Sequence, residues 1–169
     1  RGDEAAVLAW VDGGGQANAF DPRWPPLLRL AAGNGHERMV ELLLQRGAES
    51  NRHNSDGLTA LMGAASQGHE RTVDLLLQRG AEIDMRDSEG NTALMYAAGY
   101  GRERVVDLLS RRGAGLDLQN SNGGTALMAA ADKGHERVVE LLLQRGAEIN
   151  KQKSDGGTAL LYAASQGHE

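Results

Sequence analysis

Histidines and a periodic set of acidic and arginine side chains are the residues of this chain that could carry chemistry beyond packing. His36, His69, His135 and His168 keep one register, separated by 33, 66 and 33 residues, and a series of imidazoles raises the question of a metal centre or of acid–base work. Geometry argues against both. Equivalent residues on successive packed helices lie roughly 8–10 Å apart, whereas two imidazoles on one zinc need bonds of about 2.1 Å each. The series is therefore expected to be structural, and His53, which stands outside it, to be a surface contact. Glu41, Asp74, Asp107 and Glu140 each follow an arginine (Arg38, Arg71, Arg104, Arg137) by three residues. That is the spacing of solvated ion pairs on one helix face, worth about 0.2–0.5 kcal/mol each. The Gly13–Gly15 run comes after a helical pattern and has no P-loop lysine, so it is not a phosphate cradle. Cysteine is absent, which excludes thiol catalysis and a disulfide framework and fits an intracellular, cytoplasmic protein. No nucleophile, base and orienting group assemble from these residues. The chain is expected not to be an enzyme and to need no cofactor or metal.

The elements that carry these residues are copies of one unit. Thr-Ala-Leu recurs at Thr59, Thr92, Thr125 and Thr158, and a closing Gly-Ala recurs at Gly47, Gly80, Gly113 and Gly146, always 33 residues apart. A fixed period of this length marks a stacked-repeat architecture. In the copy that ends at Asn150, Thr125 is a good N-cap, Leu127, Ala130 and Ala131 fall at i, i+3 and i+4, and Gly134 ends a short first helix. A second helix from Glu136 carries Val138, Val139, Leu141, Leu142 and Leu143, an apolar arc too wide to be buried on one side alone. Gly146 suits a helix C-terminus, and the polar run to Gly157 forms an extended turn. Helices of this length lie below the ~12–15 residues at which isolated helices become marginal in water, so stacking must supply the stability. The alanine pairs at 31–32, 64–65, 97–98, 130–131 and 163–164 permit close layers.

The pattern GxTALxxAAxxGHExxVxLLLxxGAxxN resembles the ankyrin repeat over the whole chain. The resemblance implies an all-α solenoid of helix-turn-helix units joined by extended, β-hairpin-like turns. One array would fill residues 1–169: a partial repeat at 1–18 supplying a second helix, full repeats at 19–51, 52–84, 85–117 and 118–150, and a partial repeat at 151–169 supplying a turn and a first helix. Both ends fall inside a repeat, as expected of an excerpt from a longer array. The family's Thr-Pro-Leu-His is Thr-Ala-Leu-Met at Thr59, Thr92 and Thr125 and Thr-Ala-Leu-Leu at Thr158. Without the proline and the histidine, somewhat looser turns are expected.

Two copies depart from the rest. In the copy at 19–51, three prolines stiffen the entry to a helix beginning near Leu27. Phe20 and Trp24 there either cover the core or serve as exposed anchors. The copy at 85–117 places Arg102 in the histidine series, Ser110 in the leucine triplet, and Tyr96 and Tyr100 in its first helix. The net charge of −5 gives no basic footprint for nucleic acid. No apolar run reaches the ~18–20 residues that would cross a membrane. Val7, Leu8, Trp10 and Val11 are the apolar positions of the leading helix, and Arg1-Gly2-Asp3 fits a routine inter-helix turn. Leu160, Ala163 and Ala164 would have no covering layer, so a monomer that associates end to end at this edge is expected.

What the resemblance implies about function is a protein partner, of unstated identity, held along a groove made by the turns and the flank of the first helices. Carried over by position, the turns contribute His53, Ser55, Asp56 and Leu58, then Arg86, Ser88, Glu89 and Asn91, then Gln119, Ser121 and Asn122. The helix flanks contribute Ser66 and Gln67, Gly99 and Tyr100, Asp132 and Lys133. Tyr100 with Arg86 is the expected anchor, since Tyr and Arg dominate interface hot spots. Two other roles are implied: a regulatory or targeting arm of a larger enzyme or channel, and, for Asn51 and Asn150, substrates of an intracellular asparagine hydroxylase.

Overall fold

A computed structural model describes residues 26–167 of the chain, with Ala9 and Asn18 besides. The expectations for Val7, Leu8, Trp10, Val11, Phe20, Trp24, the Arg1–Asp3 turn and His168 lie outside these residues. Within them the chain is all-α, with one isolated antiparallel bridge between His53 and Thr59. The helices come in pairs: α1 (Leu27–Gly33) with α2 (Glu37–Gln45), α3 (Ala60–Gln67) with α4 (Glu70–Gln78), α5 (Ala93–Gly99) with α6 (Glu103–Arg111), and α7 (Ala126–Asp132) with α8 (Glu136–Gln144). A last first helix, α9, spans Ala159–Gln166. First helices pack on first helices and second on second along the stack, and each pair also packs internally. An inner second helix, α4 or α6, thus meets three neighbours, which accounts for the wide apolar arc of this element.

Local chemistry sets the ends of each element. The hydroxyl oxygens of Thr59, Thr92, Thr125 and Thr158 accept the N–H groups of Met62, Met95, Met128 and Leu161 at 3.2, 3.4, 3.3 and 3.4 Å, satisfying one orphan donor of each helix. Helix α1 opens instead on Pro26 and has no side-chain cap. Second helices close on Gly47, Gly80, Gly113 and Gly146, with φ between +84° and +96°. The alanine that follows each glycine donates to the helix's last-turn carbonyl, as Ala48 does to Leu43 at 2.9 Å.

Where a side-chain cap for the second helices would be expected, the residue reaches backward instead. His69 Nε2 donates to Gly33 O at 3.1 Å, Arg102 Nε to Ser66 O at 2.8 Å, and His135 Nε2 to Gly99 O at 3.0 Å. Each donor satisfies a carbonyl at the end of the preceding layer's first helix. Arg102 therefore does the same work as the histidines it replaces. The glycine beside each tie has to be small: a Cβ on Gly35 would stand 2.7 Å from the His69 ring.

The turns are not loose. Each closes as a hairpin, with Asp87 N–H on Asn91 O at 3.0 Å and Asn120 N–H on Gly124 O at 2.9 Å. Successive turns are also bonded to each other, Ser88 N–H to Asp56 O and Ser121 N–H to Glu89 O, both at 2.9 Å. Backbone groups make this connection without a histidine side chain at the fourth position of the Thr-Ala-Leu-Met motif. The contact is so close that a Cβ on Gly57, at φ +79°, would stand 2.9 Å from Asp87 Cα.

The core is a ribbon running through the layers. Leu61, Leu94 and Leu127 of the first helices and Leu76, Leu109 and Leu142 of the second are buried, as are the alanine pairs between them. Burying each leucine contributes about 1.5–3 kcal/mol. At α9 the equivalent of Leu127 is open, Leu160 being 71 % exposed, and so is the adjacent Leu161 at 58 %.

A polar seam accompanies the ribbon. Asn51 Oδ1 accepts Glu82 N–H at 2.8 Å, Asp84 Oδ1 accepts Gly115 N–H at 3.1 Å, and Asp117 Oδ1 accepts Glu148 N–H at 2.8 Å. The Asn51 amide is thus engaged between layers, whereas Asn150 is exposed. The ion pairs correct an expectation. Glu41, Asp74 and Asp107 are met by Arg79, Arg112 and Arg145, each 38 residues on in the next layer, the first at 3.0 Å. Asp107 also takes Arg111 at 2.9 Å. The arginine at each second-helix C-terminus leans back across the stack, where the stacked geometry places a carboxylate within reach. Asp74 and Asp107 thus pair with Arg112, Arg145 and Arg111, and not with the Arg71 and Arg104 expected from i, i+3 spacing.

Candidate binding groove

The hairpin turns and the first helices share one face of the stack, and the residues expected to bind are spread along it. His53, Ser55, Asp56, Gln67, Arg86, Glu89, Tyr100, Asn122 and Lys133 are exposed there, whereas Leu58, Asn91 and Gln119 are half-buried. Several of them have work within the fold. Leu58 packs against the core and gives its N–H to Asn54 Oδ1 at 2.8 Å. His53 Nδ1 donates to Asn54 O at 2.9 Å. Arg86 Nη1 donates to Gln119 O at 2.8 Å, and Gln119 Nε2 to Gln152 O at the same distance. Side chains at this register therefore lace one turn to the next, and Arg86 presents a guanidinium already fixed at one nitrogen.

The turns owe their shape to an Asx arrangement. Asn54, Asp87 and Asn120 each accept, on Oδ1, the N–H groups two and four residues on, at 2.7–3.2 Å. Asp87 is buried, and its second oxygen takes the Tyr96 hydroxyl at 2.5 Å and Asn91 Nδ2 at 3.2 Å, so the buried carboxylate is fully bonded. Burial, and then the Asp87 carboxylate beside it, push the Tyr96 hydroxyl's ionisation well above its ordinary value. The fourth turn has Lys153 at this register, which cannot accept. Asp155 takes over by accepting Gly157 N–H at 2.9 Å, and that bond first, then the Lys153 charge, holds its carboxyl below the usual range. Lys153, released from the turn, lies over the Tyr162 ring at 5.1 Å from its centre.

Five of the expected residues converge. Asn91, Gly99, Tyr100, Asp132 and Lys133 line a cleft of about 450 Å³ between α5, α7 and α9. Reading the sequence missed Tyr162, Lys153, Ala129 and Met128 as further members of this cleft. The signal was present in the register 63, 96, 129, 162, which reads Gly, Tyr, Ala, Tyr. His53, Ser55, Asp56 and Gln67 lie on other layers and are not part of it. A second hollow, on the face of the second helices, is lined by charged residues such as Glu41, Arg71, Asp74 and Arg112 and belongs to the ion-pair stripe.

Among the described residues, no three His, Asp or Glu side chains converge as a metal ion would require, and no helix is long and apolar enough to cross a membrane. A comparison with curated proteins finds no match. The family model described as ankyrin repeats (3 copies) matches residues 3–87, 28–120 and 94–169. With those matches spanning nearly its whole length, and with threonine caps, glycine ends and hairpin turns repeating in one register, the chain belongs to the ankyrin repeat family.

Proposed function

We propose that this array is a non-catalytic scaffold that holds a protein partner along the face formed by its turns and first helices. Ankyrin repeats are generally protein–protein interaction modules, and the family is typically non-catalytic. The observation that carries the reading here is the bonding between turns. Ser88 to Asp56, Ser121 to Glu89, Arg86 to Gln119 and Gln119 to Gln152 tie the binding face together before anything docks. A surface already ordered loses little conformational freedom on association, so more of each contact is available as affinity. Tyr100, 56 % exposed beside this laced edge, is the side chain best placed to be buried by a partner.

The test is affinity capture from a lysate of the source cells with the native array and with a Tyr100→Ala, Arg86→Ala double variant. A protein retained by the first and lost from the second is the expected result. Identical captures would remove Tyr100 and Arg86 as anchors. Turnover of a small molecule by purified material would end the non-catalytic reading.

A further inference from the structure

The cleft beside Tyr100 exists because one layer lacks a side chain that its neighbours have. At the fourth position of the first helix, Tyr96 and Tyr162 stand on either side of Ala129. Gly99, at the end of α5, faces Ala129: a Cβ there would be in ordinary contact with Ala129 Cβ, at 3.7 Å. Two small residues thus make a floor between aromatic walls. The residues that break the repeat gather here: all three tyrosines of the chain and two of its three lysines line this cleft. Its volume, about 450 Å³, is within the range of ~300–1,000 Å³ typical of ligand clefts.

Its charge is opposite to that of the molecule. The chain carries a net −5, yet the cleft is lined by two ammonium groups, Lys133 and Lys153, against one carboxylate, Asp132. Asp132 is already engaged, by Lys133 at 3.0 Å and by Gln166 Nε2 at 3.3 Å. Lys153 is tethered by an exposed cation–π contact, which is weak enough to be exchanged for a carboxylate. A basic segment would meet two like charges, whereas an acidic one would give Lys153, whose partner is the Tyr162 ring, a carboxylate and would share Lys133 with Asp132.

We propose that this cleft receives a segment of a partner protein that sets a large apolar side chain over Ala129 and Gly99 and an adjacent Asp or Glu against Lys133 and Lys153. The assignment rests on the reading of this face as protein-binding and gives it a partner chemistry. Tyr96, pinned by Asp87, is a fixed wall. Tyr100 is free to close over the inserted side chain.

The experiment is panning of a random dodecapeptide library, displayed on phage, against the full chain, with recovered peptides measured by fluorescence anisotropy. Recovered sequences are expected to pair Phe, Trp, Leu or Met with a neighbouring Asp or Glu. Ala129→Tyr fills the cleft with the residue the flanking layers already carry, and is expected to weaken binding at least about tenfold with the thermal melt unchanged. Lys133→Glu with Lys153→Glu leaves the floor intact and is expected to weaken binding as much, which keeps the test sound if Ala129→Tyr folds poorly. Peptides rich in Lys and Arg, or peptides that bind both variants as tightly as the parent, overturn the proposal. Peptides kept by Ala129→Tyr but lost from Arg86→Ala overturn the cleft and leave the groove standing, whereas a library that yields no binder overturns both.

Discussion

Thr72 is the residue of the second-helix core whose buried hydroxyl goes without a hydrogen bond among the described residues. It is 1 % exposed. Met39, Val105 and Val138 hold the same register in the other layers. Replacing the hydroxyl by a methyl removes a desolvated polar group without opening a cavity, so Thr72→Val is expected to stabilise the array by about 1 kcal/mol. A denaturant midpoint that rises with unchanged slope would show it. Tyr96 gives the second prediction at this scale. Burial and Asp87 raise the ionisation of its hydroxyl above the ordinary 10.0, so the unfolded chain releases that proton before the folded one does. The stabilisation is full below pH 10 and declines as the pH rises from there toward the folded-state value. Tyr96→Phe is expected to flatten this alkaline decline in melts recorded between pH 9 and 11, and an unchanged profile would contradict it. The roles of Thr59, Thr92 and Thr125 were legible in the sequence because an N-cap is decided within four residues. The partners of Asp74 and Asp107 were not, because Arg112 and Arg145 become neighbours only once layers are stacked.

The tie between one first helix and the next second helix is the unit at the scale of elements. Imidazole and guanidinium serve it equally, since each brings an N–H to a carbonyl at the end of a helix that has no further turn to supply one. Arg102→His is accordingly expected to leave stability within about 0.5 kcal/mol, while Arg102→Ala, which orphans Ser66 O, is expected to cost about 1–1.5 kcal/mol. Chemical denaturation of the two variants side by side checks this. Equal losses would mean that Arg102 acts through packing alone. The helices and their order could be read from periodicity and punctuation, as at Thr125, Gly134 and Gly146. The cleft could not, because it depends on an absent side chain at Ala129 and on Lys153 turning away from a hairpin that its asparagine and aspartate counterparts help to close.

Across the whole molecule, stability is a sum of layer-to-layer contacts, and the array is only as well covered as its outermost layer. The exposed Leu160, Ile149 and Leu143 line one apolar hollow between α7, α8 and α9. Sedimentation of this chain is expected to show concentration-dependent association through that hollow. Leu160→Lys is expected to raise the concentration needed by about tenfold, the equivalent of one leucine burial. Association that is absent, or insensitive to this change, would contradict the expectation.

The seam from Asn51 to Glu82, from Asp84 to Gly115 and from Asp117 to Glu148 has one span throughout, 31 residues. Every plug is cut to the same socket. Splicing out 33 residues between equivalent points would therefore bring a fitting pair back together, and the shortened molecule would close without redesign. A deletion of 32 or 34 would present the plug before the cut to the wrong socket after it, while pairs lying wholly on one side would keep their fit. The molecule's tolerance for lengthening and shortening is thus quantised, and the quantum is set by a side-chain amide or carboxylate reaching for one backbone N–H.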